Sequence, residues 1–359
     1  MEIQKSDIRS MTLEELTEEL GRLKEPSFRA GQIFQWLHEK MAPDFESMTN
    51  LSRDLRRKLE DNYQLITLKQ ADVRISAIDG TRKYLYELPD GNIIESVWMR
   101  YKHGNSVCIS SQVGCRMGCR FCASTLDGLE RGLTASEMLE QIYRTQADTK
   151  ERVSNIVVMG TGEPLDNYEN LIRFLHLISS EKGLHISLRN ITVSTCGLVP
   201  QIYRLAKENL PITLALSLHA PNDEKRRELM PIARKYPLKE VLEACDAYFT
   251  ETGRRISFEY SLVKGVNDNR NEAEELSGLL KGKNCHVNLI PVNPIKERDY
   301  RRSSHEEIEA FKNILEKNGI NATIRREMGS DIQGACGQLR RSFQDKRDLQ
   351  KGGRHDNIW

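Results

Sequence analysis

The chain has 359 residues, and its 53 basic and 52 acidic side chains give a formal net charge of +1 at pH 7. This length exceeds what one small core requires, so it predicts a large α/β domain with a smaller appendage. The N-terminus is polar and no apolar run reaches membrane-spanning length, which argues against a membrane protein and predicts a cytoplasmic one. In that compartment the eight cysteines do not predict structural disulfides.

Residues 1–90 predict a small, mostly helical N-terminal domain. Helical periodicity covers residues 13–23, 30–40 and 51–62. Residues 84–99 then alternate as a strand pair about the turn at 89–92. The third helix carries several basic side chains, namely Arg53, Arg56, Arg57 and Lys58. They form either a solvated helix face, which we favour for these side chains, or a nucleic-acid contact, and we expect the domain as a whole to contact RNA.

From about residue 105 strands and helices alternate, which predicts a parallel sheet covered by helices. The predicted strands are 107–111, 156–159, 190–194, 212–217, 256–260 and 286–290, with a weaker candidate at 322–325. The predicted helices are one that begins at a Thr134/Glu137 capping box and runs through Tyr143, and those at 170–178, 199–208, 238–251, 270–281 and 304–317. Six strand-helix units are too few for a closed eightfold barrel and predict an open, partial (β/α)6 barrel over residues 91–343.

The C-terminal tail, residues 344–359, is basic. From Gly337 onward six Lys or Arg side chains stand against three Asp, a net charge of +3. Such a tail either binds a polyanion or is merely solvated.

Cys115, Cys119 and Cys122 are spaced by three residues and then two, the spacing of metal-ligating thiolates on one loop. Structural zinc sites use four protein ligands, commonly in C-x2-4-C pairs, so this triplet fits a zinc knuckle poorly. It fits an iron-sulfur cluster better. Three thiolates on a four-iron cluster leave one iron without a protein ligand, and this open iron can bind a small molecule and transfer an electron to it.

Polar residues follow the predicted parallel strands at their carboxyl ends. They are Gly162 and Glu163 after the second strand, Ser194 at the end of the third, Ser217 and His219 at the end of the fourth, and Asn293 after the sixth. In barrel-like α/β sheets this edge binds ligands. Taken singly, Ser194 could cap a helix and His219 could be an ordinary core histidine.

Several separate motifs carry a resemblance to a known family. They are Cys115–Cys122 with Phe121 at its aromatic position, Ser110–Cys115, Met159–Pro164, Ser217–Ala220, Leu229–Ile232, Gly265–Asp268 and Ala335–Leu339. Together they resemble the RlmN and Cfr family of RNA adenine methyltransferases, which are radical S-adenosylmethionine enzymes. The resemblance runs from roughly residue 20 to residue 343.

The resemblance implies a 4Fe-4S cluster on Cys115, Cys119 and Cys122, with S-adenosylmethionine at the open iron. Two molecules of S-adenosylmethionine would be used per turnover. The positions that match the family's S-adenosylmethionine site are Gly162, Glu163, Ser194, Ser217, Leu218, His219 and Asn293.

Three further positions match the family's catalytic residues. Cys336 would carry the methyl group, and Cys108 would release the product while forming a transient disulfide with Cys336. Glu95 would be the proton acceptor. Without the resemblance, both cysteines would be interpreted as small buried hydrophobes and Glu95 as a solvent-facing residue of an alternating strand.

The family's RlmN branch methylates C2 of an adenine in 23S rRNA and of the adenine beside the anticodon in some tRNAs, whereas the Cfr branch methylates C8. Pro164 and Val292 look more like the RlmN branch. The resemblance also implies an electron donor such as flavodoxin or ferredoxin, and we expect a monomer. Candidate phosphate contacts are Arg116, Arg120, Lys225, Arg226, Arg227, Arg325, Arg326 and the tail.

Three alternatives stay open at this point. The first is a C8-specific enzyme of the Cfr type, and the second is another radical S-adenosylmethionine enzyme, which would have no use for Cys108 and Cys336 as a pair. The third is a protein without catalytic activity that binds RNA or carries electrons.

Overall fold

The computed structural model describes residues 5–293, 297–332 and 343. Within these ranges the strands are β1 (Ser6–Asp7), β2 (Tyr63–Gln64), β3 (Lys69–Ile75), β4 (Arg82–Glu87), β5 (Ile93–Tyr101), β6 (Gly104–Cys108), β7 (Gln112–Gly114), β8 (Leu129–Gly132), β9 (Val153–Val158), β10 (Ile191–Thr195), β11 (Thr213–Ser217), β12 (Ile256–Leu262), β13 (Cys285–Pro291) and β14 (Ala322–Ile324). The α-helices are α1 (Leu13–Arg22), α2 (Phe28–His38), α3 (Arg53–Asn62), α4 (Ala135–Thr149), α5 (Tyr168–Ser179), α6 (Val199–Lys207), α7 (Asp223–Leu229), α8 (Leu238–Thr252), α9 (Arg270–Leu280) and α10 (His305–Lys317).

One sheet of ten strands organises the molecule, in the order β14-β13-β12-β11-β10-β9-β6-β5-β4-β3. The strands from β6 through β9 to β14 run parallel, and the predicted weak strand at 322–325 is β14 at the edge. Helices follow these strands in alternation, as right-handed crossovers in a parallel sheet require. The predicted partial (β/α)6 barrel is therefore confirmed.

The antiparallel strands β3, β4 and β5 extend this sheet beyond β6. The predicted strand pair over residues 84–99 is the hairpin of β4 and β5, whereas β3 was not predicted. The predicted domain boundary at residue 90 lies in the turn between these two paired strands.

The helix after the triplet begins as predicted, since Thr134 and Glu137 form a reciprocal capping box. It runs six residues past the predicted end at Tyr143, to Thr149. The predicted strand 107–111 ends earlier, at Cys108, because Ser110 bonds instead to Gln141 of α4: its N–H donates to Gln141 Oε1 over 2.8 Å. This side chain fixes the loop that leads to the triplet.

The helices α1–α3 form the predicted helical N-terminal part. Their buried residues, among them Leu16, Phe34 and Leu59, belong to the same hydrophobic core as the helices and strands of the barrel. Among the described residues no helix is both long and apolar enough to cross a bilayer.

Candidate active site

A cavity of about 510 Å³ opens at the carboxyl edge of the parallel strands. This volume lies within the usual range for a small-molecule or cofactor site. The predicted site residues in its wall are Glu95, Cys108, Cys115, Cys119, Cys122, Gly162, Glu163, Ser194, Ser217, His219 and Asn293. Leu218 is fully buried and is not part of the wall, and Cys336 lies outside the described residues. The structure thus brings together sequence-predicted residues that lie on or directly after six strands, β5, β6, β9, β10, β11 and β13.

A short two-stranded ribbon of β7 and β8 supports the loop of the three cysteines. Gly114 has φ +76°, and a Cβ on it would lie 2.0 Å from the carbonyl oxygen of Gly128, so only glycine fits there. The N–H of Cys115 donates to this same carbonyl over 2.7 Å. Thr125 Oγ1 closes the far end by donating to the carbonyls of Cys119 and Cys122.

The three thiols lose their protons readily only if a metal binds them. Burial raises the pKa of Cys115 to about 12 and raises those of Cys119 and Cys122 as well. Negative charge on Cys122 would raise the pKa of Cys115 and of Cys119 further. Three buried thiolates therefore need a cationic partner.

These soft sulfur donors fit an iron-sulfur cluster. Within residues 5–293 and 297–332, no three His, Cys, Asp or Glu side chains converge on a position for a single metal ion. A four-iron cluster does not require such convergence, because each thiolate binds a different iron.

Glu163 presents a buried carboxylate to the cavity. One oxygen accepts from the N–H of Cys196 over 2.8 Å and the other from the N–H of Leu165 over 3.1 Å. Burial raises the pKa of Glu163, and these hydrogen bonds act against that rise. The preceding Gly162 has φ +113°, and a Cβ there would lie 2.7 Å from the side chains of Ser111 and Gln112. The backbone of Gly162 therefore packs closely against the segment that leads into the cysteine triplet.

His219 stands at the end of β11 as a neutral imidazole. Burial, together with a smaller contribution from the positive charge of Arg226, lowers its pKa to about 3. Its Nδ1 accepts from the N–H of Ser261 over 2.9 Å, so the proton of the neutral ring is on Nε2. Phe121 packs edge-on against this ring with 4.6 Å between the ring centroids. The aromatic residue of the triplet thus contacts His219, one of the residues of the predicted S-adenosylmethionine site.

Glu95 and Cys108 lie on one face of the antiparallel extension. Val97 of β5 is the cross-strand partner of Cys108 on one side and of Lys83 on the other, so these three side chains project to the same face of the sheet. Glu95 is two residues before Val97 on the same strand and projects to that face as well. Glu95 is only 1% exposed, and its Oε2 lies 3.3 Å from Lys83 Nζ. The alternating strand therefore does not present Glu95 to solvent. Burial raises the pKa of Cys108, and the positive charges of Arg325 and Lys83 oppose that rise.

The chain contacts the antiparallel extension both before and after Cys336. Before it, Asp331 accepts from Ser76 Oγ over 2.6 Å and from the N–H of Ala77 over 2.8 Å, while Gly329 N–H donates to Asp79 Oδ2 over 3.0 Å. After it, Phe343 packs against Leu85 and Ile93. Leu85 is the cross-strand partner of Glu95, and Ile93 is two residues before Glu95, so Phe343 lies on the face of Glu95.

Several charged residues at the site were not singled out in the sequence. Lys83 lies beside Glu95, and the cavity wall also includes Arg302 and Glu327. Glu259 lines the cavity, and its carboxylate accepts from Ser257 Oγ over 2.9 Å and from Asn288 Nδ2 over 2.7 Å. Burial raises the pKa of Glu259. The alternation of Ser257, Glu259 and Ser261 in an otherwise apolar strand was the signal that could have revealed it.

The candidate RNA contacts divide into three groups. Arg325 and Arg326 are exposed and line the cavity, and Arg120 and Arg227 are exposed away from it. Arg116 forms an ion pair with Asp166, and Lys225 forms one with Glu272. Arg226 is fully buried and cannot reach a phosphate in this conformation.

Comparison with known proteins gives matches along most of the chain. Residues 109–276 match the radical SAM superfamily, and residues 6–65 match the ribosomal RNA large subunit methyltransferase N-terminal domain. A crystal structure of a radical SAM methyltransferase from Sphaerobacter thermophilus superposes with a TM-score of 0.89 at 45% identity, covering 93% of this chain and 98% of that one.

Two relatives match along nearly their full length. A protein of Lachnoclostridium phytofermentans, named probable dual-specificity RNA methyltransferase RlmN, is 63% identical over 348 residues, which are 97% of this chain and 98% of that protein. A protein of the same name from Lachnospira eligens is 61% identical over 97% of this chain and 99% of its own length. Radical SAM enzymes use a 4Fe-4S cluster and S-adenosylmethionine, which the cavity residues suit. The chain therefore belongs to the RlmN family of radical SAM RNA methyltransferases.

Proposed function

We propose that this enzyme methylates C2 of an adenine in 23S rRNA, and of the adenine beside the anticodon in some tRNAs, through a methyl group carried on Cys336. One observation supports this most strongly. The buried face with Glu95 and Cys108 opens into the cavity of the three cluster cysteines, Asp331 before Cys336 is held at the turn between β3 and β4, and Phe343 after it packs on the face of Glu95.

In this proposal Cys115, Cys119 and Cys122 hold the cluster, and the fourth iron binds S-adenosylmethionine. Glu163 would accept from the ammonium group of S-adenosylmethionine, with Gly162, Ser194, Ser217, His219 and Asn293 around it. Leu218 would contribute only its backbone, because its side chain belongs to the core. When bound, the cluster supplies an electron to S-adenosylmethionine, which then provides a carbon-centred radical.

Cys336 would receive a methyl group from one S-adenosylmethionine, and the radical derived from a second would remove a hydrogen atom from that methyl group. The resulting methylene adds to C2 of the adenine and links Cys336 to the RNA. Cys336 is the fifth residue after Asp331, a span of at most about 18 Å. The anchor at Asp331 therefore supports a position for Cys336 close to the cavity.

Release of the product would need the proton on C2 to leave and the bond from carbon to Cys336 to break. Glu95 would accept the proton, since it is the carboxylate on the face of Cys108. The adduct would also give up its unpaired electron, to the oxidised cluster, and so become a closed-shell thioether. The Cys108 thiolate would then attack the Cys336 sulfur and form the transient disulfide, while the electron pair of the broken carbon–sulfur bond stays on the methylene carbon, which takes up a proton to become the methyl group. An external reductant must then open this disulfide, and a donor such as flavodoxin or ferredoxin would reduce the cluster.

RNA would contact the N-terminal domain, residues 1–90, and the basic tail, residues 344–359, with Arg325 and Arg326 at the cavity mouth. Support comes from α3, where Arg57 is 84% exposed and paired only loosely with Asp61, 4.0 Å away. The target base must leave its stack to reach the cavity. We propose a cytoplasmic monomer.

Nucleoside analysis of a strain that lacks this gene tests the proposal. Its 23S rRNA and tRNA should lose 2-methyladenosine, and a wild-type copy should restore the nucleoside while a Cys119→Ala copy should not. Loss of 8-methyladenosine instead would assign the enzyme to C8. Unchanged 2-methyladenosine and 8-methyladenosine would overturn the proposal.

A further inference from the structure

Arg226 of α7 is a fully buried arginine behind the cavity wall. Its Nη2 donates to the carbonyl of Cys196 over 2.7 Å and to that of Ser217 over 3.2 Å. Its Nε donates to the carbonyl of Leu218 over 3.2 Å. These carbonyls follow β10 and end β11, so one guanidinium joins the two strand ends that carry Ser194 and Ser217.

In the described part of the chain, no carboxylate forms an ion pair with this guanidinium. Its Nη1 likewise has no hydrogen-bond partner among the described residues. A buried cation that lacks a counter-charge is strongly destabilising. The position of Arg226 is therefore suited to a negative group that binds nearby.

The triplet loop, residues 115–122, is a candidate for that group. The helix α7 ends at Leu229, whose carbonyl accepts from the N–H of Arg120 over 2.9 Å, between the second and third cysteines. Cys119, Cys196, Leu229 and Met230 share one buried hydrophobic cluster. Because Arg226 donates to the carbonyl of Cys196, its guanidinium lies beside this apolar group of residues, which includes a proposed ligand of the iron-sulfur cluster.

We propose that Arg226 is a positioning residue that holds the ends of β10 and β11 and serves as the buried counter-charge of the iron-sulfur cluster. The inference rests on the proposed function, in which Cys115, Cys119 and Cys122 bind that cluster. Reduction adds a negative charge to the cluster, and a nearby cation stabilises the reduced form more than the oxidised one. Arg226 therefore raises the reduction potential of the cluster. Its three hydrogen bonds also hold the wall that receives S-adenosylmethionine.

Redox titration of the anaerobically reconstituted enzyme, followed by electron paramagnetic resonance, separates charge from geometry. Arg226→Gln removes the charge, whereas Arg226→Lys keeps the charge but not the planar set of N–H donors of the guanidinium. Arg227→Gln changes the exposed neighbour and serves as the control. At the wild-type midpoint, Arg226→Gln should lower the ratio of reduced to oxidised cluster about tenfold, which is about 59 mV for a one-electron couple. Arg226→Lys should shift the midpoint by less than half as much, and Arg227→Gln should not shift it.

Adding S-adenosylmethionine to the reduced cluster measures the positioning role by the change in the spectrum. Arg226→Lys should need at least about tenfold more S-adenosylmethionine than wild type, since an ammonium group cannot reproduce the planar fork. If the spectrum of Arg226→Lys were half-converted at the same S-adenosylmethionine concentration as that of the wild type, the positioning role would be refuted.

The remaining outcomes also decide the matter. A wild-type midpoint in iron-loaded Arg226→Gln would refute the counter-charge. If Arg226→Gln folds by circular dichroism but holds no cluster, a loaded Arg226→Lys supports the counter-charge and an empty one refutes it. A wild-type protein that binds no cluster, or a Cys119→Ala variant that binds it normally, would instead refute the proposed function.

Discussion

Replacing Arg9 with methionine should strongly destabilise the attachment of the N-terminal helices to the barrel. Arg9 is fully buried and donates from Nη1 to Glu140 of α4 and, over 2.8 Å, to the carbonyl of Ile66. Glu140 is equally buried, and its other oxygen accepts from the N–H of Leu68 over 3.0 Å. Arg9→Met removes the charge of one partner and leaves the other inside the protein.

The expected loss follows from that buried carboxylate. Breaking a buried ion pair by removing one partner costs about 3–5 kcal/mol. Arg144 Nε lies 3.1 Å from Glu140 Oε2 and stays in the variant, so we expect the lower end, about 3 kcal/mol. The double variant Arg9→Met/Glu140→Gln should regain at least half of this loss, because a neutral amide needs no counter-charge and still accepts from Leu68.

Urea unfolding of the cluster-free protein, followed by circular dichroism, measures these differences. Arg22→Met is the matched control, since Arg22 is 71% exposed and pairs only with Glu19 on the same helix. It should change the free energy of unfolding by less than about 0.5 kcal/mol. A loss below about 1 kcal/mol for Arg9→Met, or no recovery in the double variant, would refute the reasoning.

Three other predictions concern pH and the site. His38 is buried as a neutral ring with a pKa of about 3, so the unfolded chain binds a proton below pH 6.5 that the folded chain does not. As the pH drops below 6.5, this group should therefore lower the free energy of unfolding of the wild type by up to about 1.4 kcal/mol per pH unit. In His38→Gln, the free energy of unfolding in urea should depend less on pH between pH 6.5 and 5. An equal pH dependence in wild type and variant would contradict this. Asp331→Ala should speed alkylation of the Cys336 thiol by iodoacetamide in folded enzyme prepared without its cluster, in which Cys336 is unmethylated, with Glu327→Ala as the control, and equal rates would show that the contact with Ser76 does not position Cys336. Cys108→Ala should accumulate a covalent RNA adduct that is visible by denaturing gel electrophoresis, whereas free RNA throughout would exclude Cys108 from product release.

The sequence predicted the barrel well, because its parallel strands are short apolar runs bounded by turn residues and capping boxes. The box of Thr134 and Glu137 located the start of α4 to the residue. The end of the first barrel strand was misplaced, because the contact of Ser110 with Gln141 joins residues 31 apart and no local pattern encodes it.

The site residues were predicted partly from spacing and partly from the family resemblance. The triplet and the polar strand ends were visible in the sequence, and they meet at one cavity because parallel strands share a carboxyl edge. The partners of Glu95 and the role of Arg226 were not visible. They depend on cross-strand register and on burial, and an arginine beside Lys225 and Arg227 in a charged helix gives no sign that it points inward.

The central claim, that Cys336 carries the methyl group, is tested most directly by mass spectrometry of the peptide that contains it. Enzyme expressed with an intact cluster, or incubated anaerobically with S-adenosylmethionine, should show a methyl group on Cys336 and none on Cys285. An unmodified Cys336 in protein with full iron content would contradict the account.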